Sequence, residues 1–292
     1  MDDLFRQLSE DPGMIEKVLN PGDQLYDIDV NDLQIHTLDS GFPSLDDPYM
    51  VLKDKEGELV IIAARPSQGK SALCFQIALH VALKKHVHVF SLEMSHESIV
   101  RRLLSSIIDR PVSAIQMGLV DSKILGAAKE KLKKYNYTID DRGGLTADDI
   151  CDAAVARSKK SGTGLVVIDH LQIVKRLSGH SVHEEIGLIS SKFKNLAKQL
   201  NCPVIVACQL NRQCEMRENK RPILSDLKES GSIEENADVV LGIYREERYT
   251  NLRVGEADLL ILKNRNGQVG EVVVNFYAAQ TRFHDDGRGS NI

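Results

Sequence analysis

Long apolar runs are missing from this 292-residue sequence. None approaches the roughly 20 residues that a helix needs to cross a bilayer, and the first residues, Met1-Asp2-Asp3, are acidic where a signal peptide is basic. No membrane contact and a cytoplasmic location are therefore expected. Cysteine is scarce as well. The five (Cys74, Cys151, Cys202, Cys208 and Cys214) are odd in number and form no C-x-x-C pair, which argues against a disulfide framework or a thiolate zinc site and leaves reduced thiols as the simple expectation. An excess of positive charge is also absent. With a formal net charge of −5, a broad basic face that coats duplex nucleic acid is not expected, although local basic loops stay compatible. Repeats and low-complexity tracts are not evident. What is present, 42% hydrophobic and 27% charged residues, suits one large α/β domain with an appendage.

The chain is organised around residues 59–71, Leu-Val-Ile-Ile-Ala-Ala-Arg-Pro-Ser-Gln-Gly-Lys-Ser. The apolar run 59–63 reads as a buried strand and the pattern of 72–83 as a helix, with a tight loop between them. Residues 64–71 fit the phosphate-loop pattern G-x-x-x-x-G-K-[S/T] at every defined position but the first, where Ala64 replaces glycine. Such a loop needs backbone N–H groups curled around phosphate oxygens, a lysine that reaches the outer phosphates and a hydroxyl on Mg²⁺. Gly69, Lys70 and Ser71 supply the last three defined positions. A lysine at a helix start opposes the helix dipole and is hard to justify without an anion. Nucleotide binding is therefore expected, with Ala64, Arg65, Pro66, Ser67, Gln68, Gly69, Lys70 and Ser71 as the cradle.

Residues 1–20 hold two short helical candidates, one with Leu4, Phe5 and Leu8, the other with Ile15, Val18 and Leu19, separated by Pro12-Gly13. Their apolar faces are expected to pack on their own domain or on a neighbouring subunit. Residues 41–47 carry turn chemistry with apolar anchors. A strand over 87–91 ends near Glu93, at the ligand edge of an open α/β sheet; a carboxylate near a helix start accounts for Glu93 equally well. Ser95 can cap the next helix, and Thr146 opens a further one. Residues 98–160 read throughout as helices joined by turns. An apolar strand over 165–169 is closed by Asp169, and with a phosphate loop upstream this is the expected second Mg²⁺ element, holding the metal through water.

Residues 175–183 read as a loop with two cations, Lys175 and Arg176, whose plainest role is solvation. An amphipathic helix follows through Ile186, Ile189, Phe193, Leu196, Ala197 and Leu200. A strand over 204–207 leads to Gln209, a candidate sensor of the γ-phosphate or its water. The charged stretch 211–236 includes a small-residue loop at 225–232. Strands are expected over 238–244, 257–263 and 271–276, the last two joined as a hairpin by Asn264-Arg265-Asn266-Gly267. Lys263 and Arg265 sit together at that turn.

Six stretches occur in one order across nearly 250 residues: Ala-Arg-Pro-Ser-Gln-Gly-Lys-Ser (64–71), Phe-Ser-Leu-Glu-Met (90–94), Val-Ile-Asp-His-Leu-Gln (167–172), Gln-Leu-Asn-Arg (209–212), Ser-Asp-Leu-Lys-Glu-Ser-Gly-Ser-Ile-Glu (225–234) and Lys-Asn-Arg-Asn-Gly (263–267). Together they resemble the C-terminal RecA-like motor domain of the DnaB-type replicative DNA helicases, a family that usually carries Ala-Arg-Pro-Ser at the loop start. The resemblance implies an α/β fold, a RecA-like P-loop NTPase with a central mostly parallel sheet flanked by helices and a C-terminal antiparallel hairpin. It divides the chain into a helical linker or arm (1–35), the ATPase domain (36–286) and a tail (287–292). The implied activity is that of an ATP-dependent helicase motor, a ring, hexameric in that family, that translocates on single-stranded DNA and hydrolyses ATP at subunit interfaces. Implied cofactors are ATP and Mg²⁺; implied partners are single-stranded DNA, further copies of the chain, and a primase or loader.

The roles carry over position by position. Lys70 and Ser71 would hold the phosphates and Mg²⁺, Glu93 would polarise the attacking water, Asp169 would position the metal, and Gln209 would couple the γ-phosphate to the DNA loops. Lys263 and Arg265 would reach the nucleotide of the adjacent subunit as a piston lysine and an arginine finger. Lys175, Arg176, Lys228, Glu229 and Gly231 would contact single-stranded DNA. Three positions depart from the usual family residues: His170 where Tyr is frequent, Cys208 where Ser is, and Lys228 where Arg is. The family also has a helical collar domain that engages primase, whereas about 35 residues precede the motor here. Two other readings share the phosphate loop: a RecA-fold ATPase of recombination or signalling type that unwinds nothing, and a collar-less ring component that binds single strands.

Overall fold

Nine strands form one sheet in which the phosphate-loop strand lies in the middle. They are β1 (Leu59–Ala64), β2 (Val87–Ser91), β3 (Tyr137–Asp140), β4 (Leu165–Asp169), β5 (Val204–Gln209), β6 (Val239–Tyr244), β7 (Glu256–Asn264), β8 (Gly270–Tyr277) and β9 (Arg282–His284). Their order across the sheet is β9-β8-β7-β6-β1-β5-β4-β2-β3. From β3 to β6 every pairing is parallel, and from β6 to β9 every pairing is antiparallel. This computed structural model describes residues 35–176, 181–227 and 231–287. From Thr37 onward they belong to a single compact unit.

Strands covered on both faces need near-continuous apolar sequence, which is why β1, β4 and β5 read as unbroken aliphatic runs. Along β1 the side chains alternate between two cores. Val60, Ile62 and Ala64 join Leu73 and Ile77 on one face, while Leu59, Ile61 and Ala63 join Phe193 and Leu196 on the other. The first face is covered by α1 (Lys70–Val81), α2 (His96–Ile108) and α4 (Ser122–Leu132), with the short α3 (Val112–Gln116) between the last two. The second is covered by α5 (Ala147–Ser161) and α6 (Val182–Leu200), with α7 (Gly231–Asn236) packed against α6. Ser95 caps α2 by accepting from Ser98 N at 3.4 Å. Capping boxes at Thr146 and Ser181 fix the starts of α5 and α6.

The expected strands appear within a residue or two of their expected bounds, and the fold is the mostly parallel α/β sheet with a C-terminal antiparallel section. Four local expectations are corrected. Residues 98–160 are not helical throughout, because β3 lies among them; it is a short edge strand with mostly half-buried side chains, so no apolar run marks it. β9 extends the antiparallel section beyond the expected hairpin. Residues 41–47 include a helical turn, Pro43–Asp46, with Phe42 and Leu45 as its buried anchors. The stretch 225–232 is not all loop: a 3₁₀ turn covers Leu224–Leu227 and α7 starts at Gly231. The helical candidates in 1–20 lie outside the described residues.

His88 illustrates the cost of the sheet's burial. It is fully buried on β2, with Nδ1 2.8 Å from the Thr138 Oγ1 and no protein partner for Nε2. Burial, reinforced by repulsion from His86, lowers its pKa to about 4. In the unfolded chain a histidine titrates near 6.5. Between these values only the unfolded chain takes up the proton. The stability linked to His88 is therefore complete above about pH 6.5 and falls by about 3 kcal/mol as the pH drops to about 4. Denaturant unfolding at a series of pH values should show this slope in the wild type and a shallower one in His88→Leu.

Candidate active site

The loop 65–69 leaves β1 at the C-terminal edge of the parallel strands, where open α/β sheets bind ligands. Gly69 is the N-cap of α1 and adopts a left-handed φ of 105°. A Cβ there would lie 2.7 Å from Phe283 Cζ and 3.3 Å from Phe276 Cε2, so both backbone conformation and the antiparallel strands demand glycine. Beside the loop lies a cleft of about 480 Å³, lined among others by Lys70, Ser71, Glu93, Arg102, His170 and Gln209. Side chains from the ends of β1, β2, β4 and β5 thus converge on one space.

Its charge is unbalanced. Asp169 is fully buried; Oδ1 lies 3.4 Å from the Lys70 Nζ, and Oδ2 has no protein partner. An unpartnered buried carboxylate oxygen is costly, and one next to Lys70, which lines the cleft, could be satisfied by a cation or its water. With the Ser71 hydroxyl in the same cleft, the donors are hard oxygens of the kind that suit Mg²⁺, which keeps several of its waters. Glu93, Asp169 and His170 offer ligand atoms within 4.8 Å of one another. His170 Nδ1 lies 3.1 Å from Glu93 Oε2, outside hydrogen-bond alignment. Burial, then the charge of Lys70, lowers the His170 pKa and favours its neutral imidazole. Glu93 itself is exposed to the cleft.

Two of the cradle residues brace the loop with their side chains. Arg65 donates from Nη1 to Leu210 O at 2.8 Å and from Nη2 to Glu215 Oε2 at 3.0 Å. Gln68 accepts from Arg245 N at 2.9 Å and donates to Tyr249 Oη at 3.2 Å. Arg245 donates in turn to Ser67 O at 3.1 Å and lies 3.9 Å from the centre of the Phe276 ring. Sequence reasoning missed Arg245, Arg102 and Arg248, all of which line the cleft. For Arg245 a signal existed, since it directly follows β6 as Gln209 closes β5. Arg102 had only its helical position after Glu93, on the flank of the buried Ile99 and Leu103.

The backbone of Gln209 is clasped by Gln172, which accepts from Gln209 N at 3.0 Å and donates to Gln209 O at 3.1 Å. Away from the cleft, Lys175 N donates to Leu145 O at 2.8 Å, and Arg176 Nε lies 3.8 Å from Glu185 Oε2. Gly231 is the first residue of α7. Lys228 and Glu229 fall outside the described residues.

Lys263 and Arg265 are not brought to their own chain's cleft. Val60 pairs with Val239, and Val239 with Asn264. The turn after β7 therefore lies at the N-terminal ends of the parallel strands, ~13 Å along β1 from its cleft end. There Lys263 Nζ donates to Glu234 O at 2.5 Å. Arg265 donates to Glu235 O at 3.2 Å and pairs with Asp238 Oδ1 at 3.2 Å. Burial and the charge of Arg265 lower the Lys263 pKa.

Gly69→Ala should weaken binding of a fluorescent ATP analogue by roughly five- to 150-fold, because a left-handed non-glycine residue alone costs about 1–3 kcal/mol. Titration of the analogue checks this, and unchanged affinity would remove the loop from the binding site.

Residues 37–285 match the profile of the DnaB-like helicase C-terminal domain. The replicative DNA helicase DnaB of Leifsonia xyli subsp. xyli is 39% identical over 256 residues, 84% of this chain and 55% of that protein. Its counterpart in Buchnera aphidicola subsp. Baizongia pistaciae is 37% identical over 284 residues, 89% of this chain and 60% of that one. For Geobacillus stearothermophilus the figures are 36% over 262 residues, 86% and 57%. The chain thus spans 55–60% of the length of these relatives. Among solved structures, one described as an ATPase domain superposes with a TM-score of 0.82 at 29% identity, over 93% of this chain and 98% of that one. A DnaB-like replicative helicase, described with its interactions with primase, gives 0.81 at 27% identity, over 97% and 74%. A profile match that spans the whole sheet and the converging cleft, together with relatives of this identity, makes this chain a member of the DnaB-like helicase C-terminal domain family.

Proposed function

We propose that this chain is the motor of an ATP-dependent replicative DNA helicase, working as a ring of identical subunits on single-stranded DNA in the cytoplasm. The observation that carries the proposal is the separation of Lys263 and Arg265 from their own cleft, at the opposite edge of the sheet. A head-to-tail contact between copies, repeated until it closes, sets one subunit's cleft against the next subunit's turn. Among the described residues no helix is long and apolar enough to cross a membrane. The primase named with one structural neighbour makes a primase or a loader the fitting partner class for the ring.

In this reading the backbone of loop 65–69 wraps the phosphates and Lys70 neutralises the outer ones. Ser71 and Asp169 would hold Mg²⁺, which would supply neutralisation of the phosphate charge. Glu93 orients the attacking water and takes its proton. Gln209, at the end of β5, senses the γ-phosphate and passes its state to the DNA-facing segments that include Lys175, Arg176, Lys228, Glu229 and Gly231. The neighbour's Lys263 and Arg265 stabilise the charge that develops on the transferred group. Catalysis of this kind is mostly positioning and charge stabilisation, so one misplaced cation is felt strongly.

Arg265→Ala should lower turnover in the assembled state by roughly 10³-fold or more, the range for a missing arginine finger, with nucleotide affinity nearly unchanged. Lys70→Ala should be inactive on its own account. Mixed in equal amounts, the two inactive variants should regain activity, because about one interface in four then joins an intact cleft to an intact turn. A mixture as inactive as its parts would refute hydrolysis between subunits.

A further inference from the structure

Two buried side-chain atoms without a hydrogen-bond partner in the protein sit on consecutive residues, Asp169 Oδ2 and His170 Nδ1. The Asp169 side chain is fully buried and that of His170 is 9% exposed. Buried polar atoms left without partners are costly. Glu93 stands beside them, with Oε2 3.1 Å from His170 Nδ1. Among the described residues these three are the one set of His, Cys, Asp or Glu side chains whose ligand atoms are close enough to share a metal ion, all within 4.8 Å.

The backbone holds the three together. β2 and β4 are neighbours with Ser91 opposite Asp169, and Leu92 N donates to Asp169 O at 2.7 Å. Ser91 Oγ fastens the turn that follows, donating to Met94 O at 2.7 Å and accepting from Met94 N at 3.3 Å. Glu93 rides on that turn with its side chain 53% exposed. A four-coordinate ion with bonds of ~2.0–2.2 Å needs donors ~3.3–3.6 Å apart. Glu93 and His170 are close to that spacing already, and Glu93 has room to move.

This donor set differs from the one suited to Mg²⁺. Mg²⁺ favours oxygens, whereas an imidazole nitrogen with two carboxylates suits Zn²⁺ and its first-row neighbours. Three protein ligands with a fourth position open to water is an arrangement Zn²⁺ adopts outside purely structural sites. The two carboxylates match a divalent charge. Lys70 approaches only Oδ1 of Asp169, which leaves Oδ2 for the ion.

We propose that Glu93, Asp169 and His170 form a binding site for a late first-row divalent cation such as Zn²⁺ in the nucleotide-free chain, distinct in its donors from the Mg²⁺ position beside Ser71. The cation takes Glu93 as a ligand, so that carboxylate no longer serves the attacking water. Asp169 belongs to both donor sets, which makes this cation and nucleotide-bound Mg²⁺ competitors. Binding stands independently of the proposed function; only its effect on turnover rests on the role given there to Glu93.

Titration of the nucleotide-free full chain with Co²⁺, which takes the same ligands and reports them by visible absorption, tests the site. One Co²⁺ per chain should bind, yield to Zn²⁺, and persist in about a hundredfold excess of Mg²⁺. His170→Phe removes the nitrogen and keeps a ring, and Glu93→Gln changes an exposed side chain. Each should weaken Co²⁺ binding by roughly tenfold or more, the least that disturbing a ligand's support costs. Equal affinity in the wild type and both variants, or displacement by Mg²⁺ at similar concentration, would overturn the site. Loaded with one Zn²⁺ per chain, the wild-type assembly should hydrolyse ATP with Mg²⁺ roughly 100-fold more slowly than after a zinc-selective chelator, the lower range for losing a positioned base. Zinc bound with turnover unchanged would overturn the role of Glu93 in hydrolysis and leave the site standing.

Discussion

A buried carboxylate, Asp238, ties the turn after β7 to the strand that leads into the phosphate loop. It accepts from the backbone of Leu59, the first residue of the strand that ends in the phosphate loop, and it pairs with Arg265 at the far edge of the sheet. An ionised carboxylate out of water costs several kcal/mol unless it is paired and hydrogen-bonded. Lys194, Arg265 and Leu59 N meet that demand together. Asp238 therefore joins the turn 264–267 to the root of β1, the strand that leads into the phosphate loop.

Asp169 is the instructive contrast. It too is buried at a strand end, yet only one of its oxygens has a protein partner, the Lys70 ammonium. Asp238 has a partner on each oxygen and acts as a fastener; Asp169 is left half-satisfied beside Lys70, and a buried carboxylate oxygen calls for a partner. The same residue type, at opposite edges of the parallel strands, is satisfied to different degrees according to how many donors surround it.

Much of this was legible because its determinants are local. The phosphate loop, the acid closing β4 and the caps at Ser95 and Thr146 depend on residues within a few positions of one another, and periodicity exposed every strand whose two faces are covered. β3 escaped because an edge strand with half-buried side chains has no apolar run. β9 escaped because three residues, Arg282, Phe283 and His284, carry too little pattern to read. Arg65 and Gln68 were legible as members of the loop but not as its braces, since their partners Leu210, Glu215, Arg245 and Tyr249 are brought near only by the sheet order.

By itself the sequence determined the phosphate-loop motif, the mostly parallel α/β class and the family, because each follows from short-range spacing repeated in a fixed order. Only the tertiary structure decided that the Lys263–Arg265 turn sits at the edge away from its own cleft, that these two cations close the end of α7, and that His170 lies against Glu93. Those facts are set by strand register and by contacts between residues far apart along the chain, and no local pattern encodes which distant donor a buried acceptor will find.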